Sequence, residues 1–245
     1  TNSSQYNKNG YLMERNVCDS AGSLTLKETH EYNIKNELTR SHEYNVTPSG
    51  INEKDTRYKY NEFGKEIEIC EYNPNGSLLI SYTTQYDKNG NITERNSISP
   101  DGHLNGKSAF VYDSKGNMIE ANYFNSNDLE YKDIHEYDDN GNNDVIRRYD
   151  SSGNLEKKFV HQYSDQKKLT NTTVYNPEGN ISSEMTVKYD DKGKIIEKRL
   201  FDKKNKIDTQ ELIVYDEKEN IIERTNYTNG ILVYKYKYYN YDKAG

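Results

Sequence analysis

The sequence predicts an all-β fold, a tandem-repeat antiparallel β-hairpin meander that runs through residues 1–245 as about nine units of 26 residues. Three observations predict it. A tyrosine-anchored motif returns at alternating steps of 12 and 14 residues. Turn-forming residues stand at fixed offsets from each anchor. No segment between turns has the length or period of an amphipathic helix.

The segments Tyr86-Asp-Lys-Asn-Gly-Asn-Ile, Tyr112-Asp-Ser-Lys-Gly-Asn-Met and Tyr189-Asp-Asp-Lys-Gly-Lys-Ile set the register. With their first residue as anchor, slots fall at 6, 18, 32, 44, 60, 72, 86, 98, 112, 124, 137, 149, 163, 175, 189, 201, 215, 227 and 241. Tyrosine fills 15 of these 19 slots, and Cys18, Ile98, Phe124 and Phe201 fill the rest. Steps from odd-numbered slots to the next are 12 residues in all nine cases; the intervening steps are 14, apart from one of 16 after Tyr44 and one of 13 after Phe124.

The residue after the anchor is Asn or Asp at 16 of 19 slots, and these side chains bond back to nearby backbone to open turns. Four residues after the anchor stands Gly in 12 of 19 cases, free to take a positive φ. Together they predict a hairpin loop built as a type I turn with a glycine bulge. Each anchor therefore ends a strand. Because side chains alternate between faces, even steps place every anchor on one face if the turns are alike. Hydrophobic residues such as Ile92, Phe110, Val187 and Ile213 share the anchors' parity, and the exceptions (Leu79, Ile119, Ile196, Ile222) cluster one place after the turn. The Thr47-Pro48-Ser49 insertion is expected to lengthen its turn by two residues, and the turn Asn125–Asp128 to be one residue shorter. About 18 strands of this kind make an elongated, twisted or superhelical single sheet. The alternative is a β-solenoid that folds back on its tyrosine face.

Composition fits a thin core. Leu, Ile, Val and Phe number 45 of 245 residues, mean hydropathy is -1.16 and 30% of residues are charged, values that border on disorder. The 24 tyrosines change that reading, since each buries a large ring while its hydroxyl stays hydrated or bonded. No apolar run is long enough to span a bilayer. A net charge of -7 without a basic patch argues against nucleic acid as a partner. Cys18 and Cys70 lie two repeats apart, too far to bridge, and are expected to be free thiols. The chain opens at Thr1 and stops within the start of another repeat, Tyr241-Asp-Lys-Ala-Gly245, so we expect a piece of a longer protein whose open terminal strands can pair edge to edge with other chains.

The Tyr-Asp-x-x-Gly-Asn signature at 112–117, with relatives at 86–91, 137–142 and 149–154, resembles the bacterial YD-repeat proteins related to the RHS group. The resemblance covers essentially the whole chain but lies in one short turn motif. It implies long antiparallel strand arrays, exposure outside or on the surface of a bacterial cell, and a carbohydrate-binding, adhesive or toxin-encasing role. The bipartite 12 + 14 period and the missing Arg before the Tyr depart from that pattern. A weaker similarity is to MORN-like repeats, whose Gly spacing differs.

Each residue type that suggests chemistry proves to be a column of the repeat. His30, His42, His135 and His161 stand two places before an anchor, where other units carry Tyr58, Phe110, Val187 or Ile213; this marks packing, and zinc-like spacing is lacking. Glu14, Glu68, Glu94, Glu120, Glu197 and Glu223 stand eight places after an anchor. Paired carboxylates can serve glycoside hydrolysis, but catalysis needs one distinctive place, so bonds to Tyr hydroxyls or neighbouring Lys and Arg are expected. The Asp-x-x-Gly-Asn turns lack the acidic ligand set of an EF-hand. No metal, cofactor or catalytic residue is assigned. The best binding candidates are the tyrosines Tyr86, Tyr112, Tyr137, Tyr163, Tyr189, Tyr215, Tyr234, Tyr236 and Tyr238, whose rings suit sugar faces or protein partners. The expected function is a non-enzymatic scaffold that binds protein or glycan. A carbohydrate-binding module on the tyrosine face is the alternative.

Overall fold

The computed structural model describes residues 2–238, so Tyr239–Gly245 of the tyrosine-dense C-terminal run lie outside the described residues. The chain is all-β, with nineteen strands and no helix among the described residues. It divides into two compact units, Thr1–Glu130 and Tyr131–Gly245.

The first unit holds β1 (Asn2–Tyr6), β2 (Leu12–Cys18), β3 (Leu24–Tyr32), β4 (Leu38–Thr47), β5 (Gly50–Tyr60), β6 (Glu66–Tyr72), β7 (Leu78–Tyr86), β8 (Ile92–Ile98), β9 (Leu104–Tyr112) and β10 (Met118–Asn125). The boundary falls within β11 (Asp128–Tyr137). The second unit continues with β12 (Asn143–Asp150), β13 (Leu155–Tyr163), β14 (Leu169–Tyr175), β15 (Ile181–Tyr189), β16 (Ile195–Asp202), β17 (Ile207–Tyr215), β18 (Ile221–Thr228) and β19 (Ile231–Lys237). Within each unit every strand pairs antiparallel with its sequence neighbours and touches no other strand, so each sheet is a single layer. The solenoid alternative, with strands stacked on strands two or more places away, is not what either unit forms.

The regular turn has one geometry. In Asp113–Asn117 the Gly116 N–H donates to the Asp113 carbonyl and the Asp113 N–H donates to the Asn117 carbonyl, the predicted type I turn closed by a left-handed residue. The Asp113 carboxylate accepts from the N–H groups of Lys115 and Asn117, which fixes the loop from inside. Gly116 has φ +86°, and Asn36, Lys167 and Glu219 take the same left-handed place in turns without Gly. Two turns depart from this geometry, the first of them against expectation. The inserted residues after Tyr44 do not lengthen the loop. They extend β4 and β5 to 10 and 11 residues, with Thr47 opposite Gly50 across Pro48-Ser49. The turn after Asn125 is the shorter one predicted, a two-residue Ser126-Asn127 loop.

The anchors do not all share a face. Beside each regular turn the pairing slips by one: Tyr32 lies opposite Leu38, but Glu31 lies opposite Arg40, so Leu38 and Thr39 together face one residue. This second bulge reverses parity from strand to strand. Tyr44 is consequently opposite Lys27, and Tyr72 opposite Asp55, whereas Tyr32 and Tyr60 point to the other side. Alternate slots therefore form two tyrosine ladders on opposite faces. The same slip explains why Leu79, Ile119, Ile196 and Ile222 break parity. Each is the second residue of such a bulge, and its side chain stays on the face of the first.

The bulge also interrupts the hydrogen-bond ladder, and a tyrosine repairs it. The Tyr32 hydroxyl donates to the carbonyl of Leu12, the first bulge residue of the preceding hairpin, at 3.0 Å. Tyr60 does the same to Leu38, Tyr86 to Glu66, Tyr112 to Ile92, Tyr163 to Asn143, Tyr189 to Leu169 and Tyr215 to Ile195, at 2.7–3.0 Å. All these donors occupy odd-numbered slots, and the odd-numbered slots of the sequence are tyrosine without exception (6, 32, 60, 86, 112, 137, 163, 189, 215 and 241). Cys18, Ile98, Phe124 and Phe201 all fall in the other set, which supplies none of these donors.

The core is as thin as composition implies. Cys70, Ala121, Val187 and Ile213 are the buried hydrophobic residues, and no large side chain is fully enclosed. Cys18 and Cys70 are free thiols. Two bidentate pairs reinforce the layer: Arg40 with Asp55 at 2.9 and 3.1 Å, and Arg148 with Asp133 at 2.9 Å on both oxygens. Arg148 also lies 4.0 Å from the centroid of the Tyr131 ring.

Two outcomes follow for stability. Tyr189→Phe deletes a hydroxyl that satisfies a bulge carbonyl and is expected to cost about 0.5–1.5 kcal/mol in urea denaturation, while Tyr175→Phe, from the other ladder, is expected to be close to neutral. Equal costs would show that the hydroxyl bond is not what separates the ladders. Gly116→Ala forces an L side chain into left-handed backbone with open space around it and is expected to cost about 1 kcal/mol.

Candidate functional site

The repeated polar residues are satisfied within the chain. Glu14, Glu68, Glu94, Glu197 and Glu223 lie on the face opposite the hydroxyl clasps, and each meets a lysine of a neighbouring strand: Lys27, Lys59, Lys107, Lys188 and Lys235, at 2.5–3.3 Å. Asn16, Asn96 and Asn122 each donate to the glutamate two residues earlier at 2.7 Å. The Glu94 carboxyl is held below its ordinary pKa by Lys107 and then Asn96, and the Glu68 carboxyl by Lys59. Charge pairing keeps these groups ionised and occupied, the opposite of what a general acid requires.

The turn carboxylates are likewise engaged. Asp87, Asp113 and Asp138 are held below the ordinary value, first by the Asn91 side chain, the Asn117 backbone N–H and the Asn142 side chain respectively. The histidines separate. His42 pairs with Glu53 at 2.9 Å on one face, and His30 lies on the other. His135 and His161 share a face, and burial lowers the pKa of both imidazoles. No group of three or more His, Cys, Asp or Glu among the described residues is placed to hold a metal ion.

The nine candidate tyrosines fall into two groups. Tyr86, Tyr112, Tyr163, Tyr189 and Tyr215 spend their hydroxyls on backbone carbonyls, and Tyr137 occupies the same kind of slot. Lysine ammonium groups cover three of these rings. Lys65 stands 5.0 Å from the Tyr86 centroid, Lys168 5.2 Å from Tyr189 and Lys194 4.7 Å from Tyr215. Each ammonium also donates to a carbonyl of the following turn, of Gly90, Gly193 and Glu219 respectively. Tyr234, Tyr236 and Tyr238 form the second group. They are exposed at β19, and the Tyr234 and Tyr236 rings lie 5.0 Å apart at 51°.

Buried polar atoms of His30, Asn171 and Asn226 lack a partner singly, whereas three such atoms gather at one place in the second unit. Between the turns that follow Tyr137 and Tyr163 lies an open recess of about 530 Å³, bordered by Asp138, Asn142, Asp144, His161, Tyr163 and Asp165 among others. Asp144 Oδ1 is buried without a hydrogen-bond partner, as are the nearby Asn143 Oδ1 and His135 Nε2. His135 Nδ1 meets Asn143 Nδ2 at 2.7 Å, and His161 Nδ1 meets the Thr172 hydroxyl at 2.9 Å. Burial, and then the charges of Asp138 and Asp144, raise the pKa of the Tyr163 hydroxyl. Of the predicted tyrosines, Tyr163 is thus the one brought together with two histidines and unpaired polar atoms. Sequence reasoning missed Asp144. Its signal is that it is the sole acid seven places after a clasp tyrosine, where the other units carry Met, Thr or Ile, as at Ile67 and Thr170.

No protein-family model matches the chain, and no curated protein matches it. Among solved structures it is similar to a chain of the Photorhabdus luminescens Tc holotoxin pore, at 14% identity and a TM-score of 0.36, over 92% of this chain and 15% of that one. It is also similar to TcdB2-TccC3 lacking its hypervariable C-terminal region, at 12% identity and a TM-score of 0.40, over 94% and 16%. A porin-like protein from Bacteroides uniformis is similar at 11% identity and a TM-score of 0.33, over 91% of both chains. The chain spans only about 15–16% of the length of the toxin chains it matches. Likenesses this distant assign neither partner nor activity. No helix among the described residues is long and apolar enough to cross a membrane.

The pKa directions set the acid behaviour. A carboxyl depressed in the folded state adds stability above its unfolded value, 3.8 for Asp and 4.5 for Glu, and loses it as pH falls through the lower folded value. His135 and His161, held neutral, start the decline below about 6.5. The urea midpoint is therefore expected to fall between pH 7 and pH 3. In Asp113→Asn, which keeps the turn acceptor but not the charge, the fall should be smaller.

Proposed function

We propose that this chain is a non-catalytic scaffold, exposed outside or on the surface of a bacterial cell, whose repeated sheet displays side chains to a protein partner. The observation that carries this reading is the pairing of the repeated carboxylates. Five glutamates that share a column each hold a lysine of the adjacent strand. A catalytic carboxylate is distinguished from its neighbours by environment, and these are alike. The location rests on the resemblance of the Tyr-Asp-x-x-Gly-Asn turns to YD repeats.

A glycan-binding module remains the second reading, favoured by the exposed ring pair of Tyr234 and Tyr236. Rings of this kind present apolar faces to sugar C–H groups. A glycan array run beside capture on an immobilised protein panel separates the readings. Saturable retention of one sugar, abolished by Tyr236→Ala, would displace the protein-scaffold reading.

A scaffold assembled from nearest-neighbour units also tolerates loss of a unit. Deleting Asp87–Tyr112 joins Tyr86 to Asp113 in register. The shortened chain is expected to keep a β-sheet circular dichroism spectrum and a cooperative melt. A hydrolase turnover that disappears on substituting a single ladder glutamate would overturn the non-catalytic reading.

A further inference from the structure

The repeat contains its own ligand analogue. At Tyr86, Tyr189 and Tyr215, a lysine five places after the preceding clasp tyrosine lays its ammonium over the ring and donates to a carbonyl of the next turn. The same place holds Asn91 for Tyr112 and Asn117 for Tyr137, each bonded back to its own turn aspartate, and for Tyr163 it is Asn142. Its side chain is folded back into its own turn, donating to Asp138 Oδ2 at 2.8 Å, and does not reach the ring. Among the described residues no cation covers Tyr163, whereas its ring and the turn after it keep the arrangement that holds an ammonium elsewhere. Lys167, whose N–H closes that turn onto Ser164, presents the carbonyl in the place of Gly90, Gly193 and Glu219.

The vacancy is not neutral. Asp138, Asp144 and Asp165 border the recess against one cation, Lys167, which leaves a local balance of -2 with His161 neutral (three acids less one lysine). Lys167 itself is engaged, its ammonium donating to the Asn140 carbonyl at 2.8 Å. Asp144 replaces the Met, Thr or Ile of other units and has an oxygen without a hydrogen-bond partner, an expensive state for a buried carboxylate atom. A ring face, a carbonyl and an unpaired carboxylate oxygen are the three partners that a desolvated ammonium takes.

We propose that the Tyr163 recess binds a lysine-type primary alkylammonium ion supplied from outside the chain, over the Tyr163 ring and against Asp144. The aliphatic stem follows the channel that Lys168 fills one unit later, where a similar recess runs past Tyr189. This inference stands apart from the scaffold reading, since a recess for an amine needs no assumption about what the array as a whole displays.

The test is a titration of the full chain, followed by amide and tyrosine-ring NMR shifts, with Nα-acetyl-lysine methylamide, with 1,5-diaminopentane, and with the Nε-acetylated lysine amide as a neutral control. The expected result is saturable shifts confined to residues 138–144 and 161–168 for the two amines and none for the acetylated compound. A stronger response to the lysine amide assigns the recess to a protein side chain, and an equal response assigns it to the ammonium in general. Asn142→Lys supplies the missing cap from within and is expected to weaken binding by about tenfold or more, with the melting temperature unchanged or raised. Asp144→Asn, which keeps the shape, is expected to weaken it several-fold. Unsaturable shifts, equal binding of the acetylated compound, or full affinity in a folded Asn142→Lys variant would each overturn the proposal.

Discussion

The backbone carbonyl that a tyrosine hydroxyl caps at alternate bulges is the constraint on which the rest of the structure depends. A regular antiparallel ladder satisfies its own N–H and C=O groups, but a hairpin whose turn ends in a bulge cannot. In this chain the repair recurs at alternate hairpins, as at the carbonyls of Leu12, Leu38, Glu66 and Ile92. The tyrosine that ends the next long strand reaches back across the preceding strand and donates its hydroxyl to the open carbonyl. Phenylalanine would fill the same space and leave the carbonyl bare. That is why one set of slots is invariably tyrosine while the other accepts cysteine, isoleucine and phenylalanine.

The same device accounts for a folded chain with so little aliphatic content. A single layer is wet on both sides, so no residue gains the full burial of a globular core. Stability must come from side chains that are apolar along their length and polar at the tip. Tyrosine does this on one face, and the cationic heads of Lys and Arg cap tyrosine rings, as the Arg57 guanidinium does 4.3 Å from the Tyr72 centroid. The glutamate–lysine rungs of the opposite face are exposed to solvent screening, so each adds little to stability. Their uniformity fixes register more than it adds energy.

Much of this was legible in the sequence, and the unread part has a definite cause. The strand ends, the Asx-opened turns and the left-handed fourth residue follow from local chemistry, since Asp113 and Gly116 act on atoms within four residues of themselves. Which face a tyrosine takes is decided by the parity of the whole turn, and a bulge changes that parity without changing the spacing of anchors. Even steps therefore suggested one tyrosine ladder where there are two. Leu79, Ile119, Ile196 and Ile222 carried the correction, because two adjacent apolar residues after a turn are what a bulge places on one face. The insertion after Tyr44 was misread for a related reason. Residues added to a hairpin can join either the loop or the strands, and Thr47 and Gly50 paired.

Repetition also decides where function can be read. A residue found in every unit is explained by what every unit needs, and the glutamate ladder, the turn aspartates and the clasp hydroxyls all have such explanations. Information about a partner must lie where one unit does something its neighbours do not. Asp144 is such a place, because it puts a carboxylate where the others have Met, Thr or Ile, beside a ring that Asn142 leaves without a lysine. Asn91 and Asn117 likewise leave the rings of Tyr112 and Tyr137 without a lysine from that position, so the added anion is what singles out Tyr163, and it comes with the tyrosine, its hydroxyl bond and the turn beyond it intact.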